Sequence, residues 1–256
     1  MLERIVVYRP MLLLNYWVEV SMYLNPTLEY QHISEWADHL VGRRITPRNL
    51  VKTLGKHLNK HHPVRVKLYS GAKGALDPGE FSIGAEYDPG LDEIKKKQFI
   101  IDFILNYPKT MPMLFTEELA EKITIDLVET LIHEYEHQRQ YRSRRYRMHR
   151  NIFRSNHRDP KVRADQEYLG DPDEIDAYAQ NIAARHYLLK YKLNITSTSK
   201  INSPDLKQYY KAFGKDHEIT KLLLKKVKEN IKYFKENDNG KNHRRVHKRP
   251  QLKRKR

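Results

Sequence analysis

The sequence predicts an α+β fold in which a small, mostly antiparallel sheet of about three strands packs on one long helix, with additional helices at both ends. Two observations carry this. Residues 63–70 and 81–87 alternate apolar and polar, and residues 98–105 form a fuller apolar run, with turn residues between the three. From Thr116 the period changes: Leu119, Ile123, Leu127, Leu131 and Ile132 recur at helical spacing, behind a threonine cap and two acids, Glu117 and Glu118, that suit a helix start.

Taken in order, residues 1–44 read as mainly helical. Arg4 and Arg9 precede an apolar run from Met11 to Leu24, which superficially resembles a secretion signal. Asn15 and Glu19 interrupt it, no small-x-small cleavage pattern follows, and it falls short of the roughly 20 apolar residues of a membrane span. It is therefore expected to be a packing helix. Thr46 as N-cap and Pro47 at the first helical position start another helix, with Leu50, Val51, Leu54 and Leu58 on one side, running toward His61. After the long helix, a further one begins at Asp171 and Pro172 and passes through Ile175, Ala179, Ile182, Ala183 and Leu189 to about Leu193. The expected organisation is a helical segment over 1–44, the main domain over 45–193, a lysine-rich helical extension over 194–236, and a basic tail over 237–256 that reads as disordered.

Composition narrows the chemistry. A chain of 256 residues with 39% hydrophobic content can bury one good core. Its formal net charge of +16 sets up a positive field that attracts phosphate, anionic lipid or acidic protein. Cysteine is absent, which excludes disulfides, thiolate zinc sites and a cysteine nucleophile. Any metal site must then be built from His and carboxylates, and the compartment expected for an unstapled fold is the cytoplasm.

The sequence His133-Glu134-Tyr135-Glu136-His137 is an H-E-x-x-H motif on the segment already read as helical. A step of four residues turns an α-helix by roughly 400°, so His133 and His137 project from nearly one face, as two ligands of one tetrahedral Zn2+ must. Glu134, beside the first histidine, can reach a water in the open position without being a ligand. Zinc lowers the pKa of its water toward about 7, a carboxylate takes the proton, and hydrolysis of a polarised carbonyl follows. Glu136 points away from the shared face and is expected to face solvent or support the ligands from behind.

A catalytic zinc takes a third protein ligand. The segment Asp171–Asn181 offers Glu174 and Asp176, while His157 and His186 are other sources. Glu174 also has a purely structural reading, because Asp171 and Glu174 form the D-x-x-E pattern of a capping box.

H-E-x-x-H followed by a helix that opens with E-x-x-A, here Glu174 to Ala177, resembles a gluzincin-type arrangement. The chain is similar in this to ImmA/IrrE-like peptidases and to small phage-encoded metallopeptidases, over about residues 45–190. The resemblance implies a zincin-like fold, a third-ligand role for Glu174, and a protein substrate laid along an edge strand. The candidate strand carries Phe81, Ile83, Ala85 and Tyr87; Tyr168, Tyr178 and His157 are candidate oxyanion donors.

Directly after the motif, arginines and aromatics interleave, with Arg142, Arg144, Arg145 and Arg147 among them, and the tail contributes Arg244 and Arg245. Such composition suits a polyanion, whether nucleic acid or acidic protein. Three functions follow: zinc-dependent cleavage of a protein substrate, in host cytoplasm or virion if the chain is phage-encoded; a nucleic-acid-associated SprT-like protease; or a non-enzymatic phage structural or nucleic-acid-binding protein retaining a zincin fold.

Overall fold

Asn25 opens the first helix of the structure, a computed structural model that describes residues 24–70, 80–147, 153–195 and 200–238. Its side chain accepts from the N–H groups of Thr27 and Leu28, Pro26 has no N–H to satisfy, and α1 runs Pro26–Asp38. Thr46 repeats the device for α2 (Pro47–Leu58), accepting from Asn49, as the sequence predicts. Just before α2, β1 (Arg44–Ile45) pairs antiparallel with β5 (Met113–Leu114), stitching the approach to α2 to the approach to the long helix.

The main sheet holds β2 (Val64–Ser70), β3 (Phe81–Tyr87) and β4 (Phe99–Leu105) in the order β2-β4-β3, with the short helix α3 (Pro89–Glu93) between β3 and β4. The most apolar strand takes the middle. Phe99, Ile101, Phe103 and Leu105 all point to the buried face. β3 runs antiparallel to β4, but β2 runs parallel to it, so the sheet is mixed rather than mostly antiparallel. Alternation determines which side chains turn inward and is the same for either strand direction. Direction is set instead by how the chain crosses between the strands, which alternation does not record.

Behind Thr116, which accepts from Leu119, α4 runs Glu117–Ser143, 27 residues and about 40 Å long. Ile123, Leu127, Val128 and Leu131 bury its inner face, and it packs on α1, β3 and the later helix α6. A helix that the apolar pattern leaves unannounced follows: α5 (Pro160–Leu169), capped by Asp159, buries only Leu169 and so has no periodic stripe to read. α6 (Pro172–Tyr187) passes into a π-helical turn over Leu188–Lys192, ending where the sequence expects.

The lysine-rich stretch divides at Gly214, whose φ of +85° suits a residue without Cβ, into α7 (Pro204–Phe213) and α8 (Glu218–Asp238). α8 packs on α6. Leu206, Tyr209, Leu223, Val227, Ile231 and Phe234 join one buried cluster with the sheet and α4. Most of the apolar N-terminal run and residues 239–256, with Arg244 and Arg245, lie outside the described residues. Among those described, no helix is long and apolar enough to cross a membrane.

Candidate metal centre

On α4 the two histidines of the motif do converge. Their Nε2 atoms stand 3.1 Å apart, with the rings nearly perpendicular at 78°. From the start of α6, Glu174 meets them, Oε2 lying 3.6 Å from His133 Nε2 and Oε1 lying 3.5 Å from His137 Nε2. Two ligands bonded at about 2.05 Å to one tetrahedral ion stand ~3.3 Å apart, so these separations fit a shared metal without rearrangement. Glu174 Oε2 is buried and has no hydrogen-bond partner, as expected of an atom whose natural partner is a cation. His133, His137 and Glu174 are a group that could hold a metal ion.

The capping role for Glu174 does not materialise. A capping box would have its carboxylate accept from the Asp171 N–H, but that N–H is given to the Tyr168 carbonyl, and the Glu174 side chain turns to the histidines. The other third-ligand candidates are engaged elsewhere. Asp176 pairs with Lys226 of α8 at 2.5 Å, His186 is buried against the Tyr191 ring, and exposed His157 uses Nδ1 to accept from Asp159 at the start of α5.

Glu134 is 6% exposed. Burial pushes its carboxyl upward, opposed by the charges of His133 and His137 and by a hydrogen bond from the backbone of Tyr87. Burial also opposes ionisation of Glu174, yet the two histidines facing it outweigh burial and bring that carboxyl down to about 2. Burial likewise works against charge on His137, and Glu174 overrides it, raising the imidazole to about 9. Without metal the site is thus a carboxylate held by protonated imidazole, and a cation would displace that proton.

Comparison with protein-family models, with curated proteins and with solved structures returns no match to this chain.

Of the candidate oxyanion donors, the fold brings two to the site. The Tyr178 ring meets His133 edge-on at 4.7 Å, and the Tyr168 ring stands edge-on to Tyr178 in turn, 6.4 Å between centroids. Burial moves both phenols upward, Tyr178 to about 12. His157 is not part of this group. β3 is an edge strand, but Phe81 and Tyr87 are buried and Ile83 and Ala85 pack on the core, so these four side chains face inward. What the strand offers outward is backbone.

Glu136 is not solvent-facing. At 3% exposed it accepts from Arg139 and, at 2.5 Å, from Gln180 of α6. Of the arginines after the motif read as polyanion-binding, two are similarly committed: Arg142 grips Asp92 through two bonds of 2.7 and 2.6 Å, and Arg144 pairs with Asp173 at 2.6 Å. Arg145 and Arg147 are exposed. Asp92, 4% exposed, also accepts from the hydroxyls of Tyr87 and Tyr146 and from Gln138, locking the end of the edge strand to α4. Sequence reading misses Asp92 and Gln140. The latter stands one turn beyond His137, where helical spacing could have drawn attention to it; no local pattern marks Asp92.

Elsewhere on α4, Glu129 and Asp126 share a single guanidinium, Arg185 of α6, which lies 2.5 Å from Glu129 and 3.4 Å from Asp126. Two acids share one cation, and Glu129 is the more deeply buried of them. Burial pushes Glu129 up to about 8, with Arg185 pulling the other way. A carboxyl raised on folding stabilises the fold fully below its unfolded value of about 4.5, and the contribution fades as pH rises toward 8. Glu129→Gln is expected to flatten this slope, so that its melting temperature relative to wild type climbs between pH 5 and about 8. Parallel melting curves for the two proteins across that range would contradict the assignment.

Proposed function

We propose that this chain is a zinc-dependent peptidase of zincin-like fold acting on a protein substrate. The observation that carries the reading is the meeting of His133, His137 and Glu174 at tetrahedral spacing, with Glu134 buried beside them and outside the ligand set. Zinc held there supplies a Lewis acid and lowers the pKa of its water toward about 7. Glu134 takes the proton of the attacking water, aided by the upward push of its burial, and returns it to the leaving nitrogen. Tyr168, half-exposed at 48% and edge-on to Tyr178 beside the site, would donate its hydroxyl to the oxyanion as it develops. Extended substrate pairs with the outer backbone of β3, whose last residue contacts Glu134 through its own backbone.

Nucleic-acid targeting through the arginines beside the site is the weaker reading, since the forks of Arg142 and Arg144 are already filled by Asp92 and Asp173. The test of the main reading is elemental analysis of the purified chain together with proteolysis of an unfolded protein. One equivalent of zinc is expected, with cleavage lost on chelation and restored by zinc. A chain that takes up no metal, or cleaves equally well after chelation, overturns it.

A further inference from the structure

We propose that Gln140 is a positioning residue that holds His137 as its Nδ1–H tautomer and so aims the Nε2 lone pair at the metal; this rests on the zinc reading above. The assignment comes from the hydrogen bonds. Gln140 is 5% exposed and its Nε2 donates to the backbone carbonyl of Asp173 at 2.9 Å. A carbonyl oxygen only accepts, so the amide must turn its NH2 group that way, which leaves Oε1 facing His137 Nδ1, also at 2.9 Å. Oε1 only accepts as well, so Nδ1 carries the proton. In a neutral imidazole the lone pair is then on Nε2, the atom that stands 3.1 Å from His133 Nε2 and 3.5 Å from Glu174.

The same amide ties the two ligand-bearing helices together. One end meets the imidazole on α4, and the other meets the residue immediately before Glu174 on α6. Arg144 grips the carboxylate of that same residue, Asp173, so the helix contact does not depend on Gln140 alone. The tautomer effect can therefore be separated from helix packing. An acceptor behind a ligating histidine orients the ring and raises its basicity, and losing one typically weakens metal binding about 10–100-fold.

The experiment is zinc affinity, measured by competition with a chromophoric chelator, for wild type, Gln140→Leu and Gln140→Glu. Both variants lose the donor to Asp173, but only the glutamate keeps an acceptor for Nδ1–H. Gln140→Leu is expected to bind zinc about 10–100-fold more weakly, and Gln140→Glu to stay within about threefold of wild type. Nitrogen-15 shifts of the zinc-loaded wild type are expected to show a protonated Nδ1 and a metal-bound Nε2 on His137. Unchanged affinity in Gln140→Leu, equal weakening in both variants, or metal on Nδ1 would each overturn the proposal while leaving the metal centre standing. A wild type that takes up no zinc would overturn the metal centre itself, and this role with it.

Discussion

Glu134→Gln is expected to lower hydrolysis by about 10²–10⁴-fold while zinc content stays at the wild-type level. The amide keeps the volume of the carboxylate in a buried position but cannot take a proton. Because Glu134 lies beside the three-residue group and not within it, its replacement leaves the ligands intact. His137→Ala is the contrast: it removes one corner of the group, and the metal is expected to go with it. Elemental analysis and a proteolysis assay on the two variants read both quantities. A Glu134→Gln protein that loses its zinc would make Glu134 a ligand, and one that retains activity would remove it from the chemistry.

Glu174→Ala should weaken zinc binding by more than about 100-fold, beyond the range typical of residues that merely support a ligand. Asp171→Ala, three residues earlier, is expected to leave zinc affinity near wild type and to cost about 1 kcal/mol of stability, because its side chain caps α6 by accepting from Asp173. The two substitutions separate ligand from cap on a single helix turn. Chelator competition and denaturant unfolding give the two numbers. Normal zinc affinity in Glu174→Ala would return that carboxylate to the service of the helix start and leave the pair of histidines short of a third partner.

Much of this was legible from local chemistry. Thr46 with Pro47, Thr116 with Glu117, and Asp171 with Pro172 mark helix starts that the structure places where the sequence expects them. The strand at 81–87 is likewise where its alternation puts it, and the H-E-x-x-H spacing suffices to bring two imidazoles to one face of a helix. Less legible was anything set by a partner far along the chain. The basic run after the motif resembles a free polyanion surface until Asp92 and Asp173 claim two of its arginines. Glu136, polar and in the middle of a charged motif, reads as either solvent-facing or a support behind the ligands until Gln180 covers it. Helix α5 escaped because a helix that buries one residue has no stripe.

By itself the sequence determined the helix boundaries that rest on capping side chains, the inward face of each strand, and the pair of histidines on α4. These depend on residues within a turn or two of one another, where spacing translates directly into geometry. Tertiary structure alone decided that β2 runs parallel to β4, that Glu174 turns to the histidines instead of its own helix cap, and that Gln140 bridges α4 to α6. Each of these depends on which distant segment arrives alongside, and a carboxylate or an amide acquires its role only from the group it meets there.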